Sequence, residues 1–481
     1  MTIVALCQVI WPAPARGWDV GMPSSSRPPT LLAVASHPAE IASSSFAPAA
    51  SEIPPQVRPE GYERINGRLV RRILRRDGTS SELDCGTAPA RAIEDRLPEI
   101  ADKRWLELTA APELPDVSAV RFTDLFCGCG ALSLGVQEAA RSLGRGAVPV
   151  LSADDDPAPL AVYSKSVPGG ANSVRQVDLA TMLDGALKSK ETTTERAFLK
   201  ACPDDLDLVL AGPPCQGHSP LNNHTRHNDD RNDLYLRVVR FVELRRPRYC
   251  LIENVRSIVR DQRRSAGTAI DHLEKLGYVV DDDVVRLDRL GVPQTRRRHV
   301  VVAAADGEEP ISVSDVVEAY AVPRVQCRTV GWAIRDLKAS TGCSEFDEPS
   351  NPSKLNLQRM EWLIERDEDD LPNRLRPDCH KLPKLNEDGN EVEHSYKAMY
   401  GRLAWKRPAQ TITSGFGSMG QGRYVHPDQP RTLTPHEAAR LQLLPDWMDF
   451  DAATGRGRWA RMIGNAAPMK LSYAFALEMF R

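Results

Sequence analysis

From Val120 onward the chain alternates short apolar runs with helical stretches, and this rhythm restricts the possible folds more than any other feature. Apolar runs at 120–126, 147–153, 206–210, 249–252, 278–280 and 299–304 read as strands, with helical pattern at 131–143, 157–166, 234–244 and 267–276 between them. Strand–helix alternation of this length predicts an α/β fold, a doubly wound, mostly parallel sheet of Rossmann-like type. Sheets of that kind bind their ligands outside the carboxyl ends of the strands. The residues just past each apolar run are therefore where chemistry is expected.

After 206–210 comes Ala211-Gly212-Pro213-Pro214-Cys215-Gln216. Two prolines fix φ and remove two backbone donors, so neither ladder nor helix continues. Cys215 then stands on a stiff turn at a strand end, a place suited to a nucleophile. A small buried hydrophobe is the alternative, since free cysteines are among the most buried residues, and this window leaves both open. After 120–126 comes Cys127-Gly128-Cys129-Gly130, whose glycines allow close backbone approach to a ligand. The third glycine of a dinucleotide fingerprint would fall at Ser133, and no Gly-Lys-Ser/Thr follows, which disfavours nicotinamide and P-loop sites. The second strand ends in Asp154-Asp155-Asp156 and the third in Asp178. An acid at the second strand tip suits ribose hydroxyls, with helix N-capping as the competing use. A glycine turn followed by two strand-end acids fits a nucleoside cofactor lacking a pyrophosphate, for which S-adenosylmethionine is the natural candidate.

The formal net charge of −3 neither requires nor excludes a nucleic-acid partner. The 10 cysteines show no disulfide spacing, and Cys127 and Cys129 lack a second ligand pair, so no metal site is expected. No apolar run approaches a membrane span, and a cytoplasmic location without membrane contact is expected. Residues 1–57 have the Pro-, Ser- and Ala-rich composition of a disordered tail. Arg64, Arg68, Arg71, Arg72, Arg75 and Arg76 then crowd around Asn66-Gly67, a type I′ hairpin signal. Such a basic hairpin suits phosphates, although a solvated charged face is the commoner use of a charge run.

Taken in order, the motifs resemble those of the C5-cytosine DNA methyltransferase family. They are Asp124-Leu125-Phe126-x-Gly128-x-Gly130, the Asp154/Asp156 strand end, Pro213-Pro214-Cys215-Gln216, Glu253-Asn254-Val255, Gln294-x-Arg296-x-Arg298 and Gly464-Asn465-Ala466-x-Pro468. The stretch 431–442, Arg-Thr-Leu-Thr-Pro-x-Glu-Ala-Ala-Arg-Leu-Gln, is also similar to the family.

The resemblance implies transfer of a methyl group from S-adenosylmethionine to carbon 5 of cytosine in duplex DNA. It assigns Cys215 as nucleophile and Glu253 as the acid at ring nitrogen 3, held partly protonated by burial. Arg298 would hold the base carbonyl and Arg296 support the cysteine side. A Glu253–Arg298 structural pair, or a merely solvated arginine run, is the competing reading. For the cofactor it assigns Phe126 to adenine, Gly128 and Gly130 to the methionine part, Asp154 to ribose, Asp178 to the adenine amino group and Asn465 to the far side. Core packing is the alternative for Phe126. The target base must leave the helix, and the polar loop 216–233 is the expected mobile element.

The expected organisation is a tail (1–57), an extension of unknown role (58–118), a catalytic domain (119–305), a target-recognition domain (306–430) and a returning segment (431–481). Within the recognition region, 329–337 and 361–370 read as helices, and 400–403 and 411–413 as short strands. A monomer acting on double-stranded DNA is expected, in a bacterial restriction-modification or orphan system. A cognate endonuclease would share the site without direct contact. Two competitors remain: the same chemistry on RNA, and a non-catalytic DNA-binding relative, against which the intact Cys215, Glu253, Arg296 and Arg298 argue.

Overall fold

The computed structural model describes residues 58–89, 94–214, 234–260, 264–323, 327–339, 344–381, 384–385, 391–392 and 398–481. The expected tail, Cys215 and the polar loop after it lie outside the described residues.

Asn66 and Gly67 take left-handed φ values of 48° and 77°, the backbone that a type I′ turn demands. Across them β1 (Glu60–Ile65) pairs antiparallel with β2 (Arg68–Leu74), and β3 (Ser80–Thr87) completes a three-stranded sheet. Strand alternation points Leu69, Arg71 and Ile73 inward. Arg71 Nη1 donates to Glu138 Oε1 at 2.5 Å and Ser142 Oγ at 2.9 Å, and the guanidinium lies over the rings of Tyr62 and Tyr473. Arg68 pairs with Asp84, Arg72 with Glu63 and Glu82, and Arg76 with Glu478, while Arg75 donates to the Leu143 carbonyl. The hairpin thus uses these five arginines to close its own sheet and bind it to the body, while Arg68 and Arg72 keep much of their surface in solvent. The next helix, Leu97–Leu106, has Pro98 in its first turn, where a missing N–H costs nothing.

The central sheet contains β4 (Val120–Leu125), β5 (Ala147–Asp154), β6 (Val174–Gln176), β7 (Leu208–Ala211), β8 (Tyr249–Val255), β9 (Val279–Arg286) and β10 (Arg297–Ala304). Their order is β6-β5-β4-β7-β8-β10-β9. The first five run parallel, and β10 is antiparallel to both β8 and β9. The chain leaves β4 toward β5 and β6, then returns to the other flank of β4 as β7. This reversal opens the crevice at the carboxyl ends of β4 and β7. Leu208 and Leu210 face one core, packed with helices Ala131–Ser142 and Lys470–Phe480. Val209 and Ala211 face the other, with helices Leu234–Arg245 and Ser265–Lys275. Gly135 is required where the last helix crosses: a Cβ there would fall 2.1 Å from Ser472 Oγ.

Beyond the sheet the rhythm breaks as expected, with different boundaries. Thr329 caps a helix at Val330–Ile334. The acidic stretch forms a helix only at its start, the end of Lys354–Glu365, whose Met360 and Leu363 are buried. Asp367 leaves it at φ 52°, and Asp367 and Asp370 reach Arg402 and Arg423. These ion pairs, rather than helix, account for the acidic run. Gly401–Arg402 pairs in parallel with Arg423–Val425, but residues 411–413 form no strand because the Ile412 N–H donates to Gln294 Oε1. Met360, Leu363, Leu371, Tyr400, Met419 and Val425 make a small core of their own. Among the described residues no helix is long and apolar enough to cross a membrane.

Candidate active site

The turn after β4 is strained in a purposeful way. Phe126, Gly128 and Gly130 all have positive φ, at 60°, 53° and 92°, and a non-glycine residue held there signals a local constraint. Phe126 is half-buried against the core under β7. The Gly128 N–H donates to Asp154 Oδ2 at 2.9 Å, tying this turn to the tip of β5, and nothing lies within 4 Å of where its Cβ would be. Gly130 is different. Its Cβ would fall 2.4 Å from Val167 Cγ2, so glycine there serves internal packing at the start of helix Ala131–Ser142.

The three aspartates divide their duties. Asp156 caps helix Pro157–Ser166 by accepting from the Ala158 N–H. Asp154 accepts from Gly128 and from the Asp156 N–H, and burial pushes its carboxyl above the usual range. Asp178, exposed, follows a strand shorter than expected and caps Leu179–Met182 through the Ala180 N–H. Asp124 opens the first motif but was given no role of its own. It is fully buried in β4, accepts from Ser133 Oγ at 2.6 Å, and burial pushes it up to about 7. An acid within an apolar strand was the available signal.

On the other side of the crevice, antiparallel β10 does what a parallel strand could not. It brings its first residues to the carboxyl end of β8, with Val300 opposite Glu253 and Arg298 opposite Val255. Glu253 and Arg298 thereby become diagonal neighbours on one face. Arg298 Nε lies 2.5 Å from Glu253 Oε1, and its Nη1 donates to the Arg297 carbonyl. The pairing considered as an alternative role is thus the arrangement observed. Gly212 joins the two halves: a Cβ on it would lie 3.7 Å from Glu253 Oε2 and 3.9 Å from the Phe126 carbonyl. Asn254 Nδ2 donates to the Pro213 carbonyl at 3.3 Å, holding the Pro-Pro turn that leads into Cys215.

Buried Arg296 donates to the carbonyls of Ile412 (2.8 Å) and Gly464 (3.2 Å), which braces the C-terminal motif. The cysteine side that it is expected to support lies outside the described residues. Gly464 itself has no room for a side chain, since a Cβ would fall 2.2 Å from the Ser414 nitrogen. The next residue, Asn465, is exposed at the end of helix Arg456–Asn465. Among the described residues no group of His, Cys, Asp and Glu could hold a metal.

The profile of the C-5 cytosine-specific DNA methylases matches residues 120–481. The chain belongs to this family. It is 40% identical over 416 residues to Type II methyltransferase M1.BsuMI of Bacillus subtilis (strain 168), covering 86% of this chain and 93% of the relative. It is 30% identical to Type II methylase M.HgiDII of Herpetosiphon aurantiacus, covering 74% and 94%. Type II methyltransferase M1.HphI of Haemophilus parahaemolyticus is 29% identical, with 74% and 86% covered. The 86% share exceeds what residues 120–481 alone supply, so the Bacillus match reaches into the chain before Val120.

Proposed function

We propose that this DNA (cytosine-5-)-methyltransferase works through a covalent adduct between Cys215 and a cytosine turned out of duplex DNA, with S-adenosylmethionine as methyl donor. The observation that carries the reading is the meeting of three strand ends: the Phe126–Gly130 turn, Gly212 before Pro213-Pro214, and the Glu253–Arg298 pair. When bound, S-adenosylmethionine supplies an electrophilic methyl group. The residues fit it: Gly128 leaves open space, Asp154 is held rigidly by two N–H donors for the ribose, and Phe126 is only half-buried, leaving ring surface for adenine. Asn465 would close the site from the C-terminal motif, and Asp178, exposed at its helix start, would reach the adenine amino group.

On the base side, the Cys215 thiolate bonds to carbon 6, and the ring electrons move to carbon 5 with charge developing toward nitrogen 3. Glu253 holds a proton at nitrogen 3, and Arg298, released from its pairing, binds the base carbonyl with a planar fork. Carbon 5 takes the methyl group and loses its proton to a base, for which water serves. The thiolate then leaves and the ring is restored. A cytosine within a helix is out of reach of any side chain, so the base is flipped, and the residues after Cys215 close over it. Arg296 acts through the backbone of Ile412 and Gly464, keeping the donor-side motif against the sheet.

Base-edge reading falls to the region 306–430, which has one small cluster of its own while residues such as Val330, Ile334 and Ile412 join the main sheet core. The likeness to two named Type II methyltransferases favours a restriction-modification setting, with double-stranded DNA as substrate and any cognate endonuclease acting on the same site without contact. DNA carrying 5-fluorocytosine at the target, incubated with enzyme and donor, should become covalently linked at Cys215, and Cys215→Ser should abolish both linkage and methylation while still binding donor. Methyl incorporation that persists in Cys215→Ser would overturn the mechanism.

A further inference from the structure

The extension before Val120 meets the catalytic fold at one buried carboxylate. Asp102 lies on helix Leu97–Leu106 and is only 7% exposed. Its Oδ1 is 2.7 Å from Lys470 Nζ and its Oδ2 is 2.8 Å from Arg328 Nη2. Lys470 opens the last helix, directly after the motif Gly464-Asn465-Ala466-x-Pro468. A cation at a helix N-terminus opposes the helix dipole, and the Asp102 carboxylate placed there compensates it. Arg328 lies just before helix Val330–Ile334. Gly291, at φ 87° in the loop that leads to Arg296 and Arg298, backs onto the same group: a Cβ on it would lie 3.8 Å from Asp102 Oδ2. Three segments that build the site therefore converge on one residue of the extension.

Neighbouring contacts repeat the theme. Trp332 Nε1 donates to the Glu99 carbonyl, Lys103 Nζ reaches Asp336 Oδ1 at 2.7 Å, and the Asp446 N–H donates to the Leu106 carbonyl. Trp105 meets Trp447 edge-on at 4.8 Å between ring centroids. Burial alone would push the Asp102 carboxyl up, but Lys470 and Arg328 outweigh it and hold it at about 2.

We propose that Asp102 is a positioning residue for methyl transfer: through Lys470 it sets the Asn465 turn against the donor site, and through Arg328 it registers the recognition region to the same frame. The inference rests on the reading that Asn465 closes the donor site. It makes the extension part of the enzyme's working core, in keeping with the reach of the Bacillus match before Val120.

The test uses the full chain. Calorimetric titration with S-adenosylmethionine should show Asp102→Asn weakening the dissociation constant by about tenfold, because small misplacements of a positioned group cost that order or more. The KM for donor should rise in parallel, while kcat on DNA at saturating donor should stay within about twofold. Lys470→Met should reproduce the loss, and the double variant should be no worse than the weaker single one, since both remove one interaction. Asp102→Glu should recover part of the affinity, and Arg68→Ala, at an exposed pair, should leave it unchanged. A donor dissociation constant unchanged in folded Asp102→Asn overturns the proposal, even if its melting temperature falls. Should that variant not fold, an unchanged constant in Lys470→Met overturns it equally. A wild-type chain that binds no donor would instead overturn the assignment of the donor site, which keeps the two failures apart.

Discussion

Two arginine-rich stretches, 68–76 and 296–298, look alike in the sequence and end in opposite circumstances. In both, strand alternation sends one arginine outward and another inward: Arg72 against Arg71 in β2, Arg297 against Arg298 in β10. In both, the inward guanidinium meets a carboxylate at 2.5 Å, Glu138 or Glu253. The surroundings differ. The Arg71–Glu138 side chains are 2% and 3% exposed, and Glu138 is also held by Arg141, so that pair is closed on every side. The Arg298–Glu253 side chains are 11% and 10% exposed and stand at strand ends beside the Pro-Pro turn. A closed pair on a helix–sheet contact is a clamp, whereas a pair left reachable at the lip of a crevice can exchange its partner for a substrate.

That comparison is open to attack at several points. The largest effect belongs to Arg298→Met, which should lower single-turnover methyl transfer to DNA by about 10²–10³-fold, as for loss of one group stabilising developing charge. Its donor dissociation constant should stay unchanged; equal loss of donor binding would show Arg298 to be a clamp as well. Arg71→Met leaves Glu138 to Arg141 alone and should cost about 1.5–3 kcal/mol in urea unfolding. Activity per folded molecule should persist, and a specific loss of kcat would break the distinction.

Next comes a buried carboxylate with no cation beside it. Burial raises Asp124 to about 7 in the folded state, above the ordinary 3.8. Its contribution to stability is therefore complete below about pH 4 and is lost as pH rises toward 7. Asp124→Asn should remove that dependence, so its unfolding midpoint should gain on wild type between pH 4 and 7, by on the order of 1–3 kcal/mol. Parallel pH profiles would refute it. Asp102 has the opposite sign: held at about 2, it stabilises above about pH 4 and loses that contribution on acidification. The smallest effect is expected for Arg68→Ala with Arg72→Ala, whose exposed, solvent-screened pairs should leave the urea unfolding midpoint unchanged. The salt dependence of DNA binding should not change. A slope reduced by about one per arginine would restore the phosphate-binding role of the hairpin.

Much of the site was legible because strand ends carry their chemistry in consecutive residues. Phe126 to Gly130, Asp154 and Glu253 could be located at strand ends from local pattern, and the resemblance implies their roles as a cofactor turn, a ribose acid and a base-side acid. The Asn66-Gly67 turn was legible for the same reason, since two left-handed residues in succession are a local demand. What escaped reading depends on partners distant in the chain. A Cβ on Gly130 would run into Val167 and Tyr163, residues more than thirty positions away. Arg296 holds Ile412 and Gly464. The 411–413 stretch gives its amide to Gln294 instead of to a ladder.

By itself the sequence determined the doubly wound sheet, the order of the motifs along it and the family, because apolar periodicity and strand-end residues act over a few positions. Only the tertiary structure decided which cations are clamps, that the antiparallel β10 delivers Arg298 to Glu253, and that Asp102 joins the extension to Lys470 and Arg328. Those outcomes depend on which charged groups are buried together, and the free energy of a buried charge is set by neighbours that lie far away along the chain.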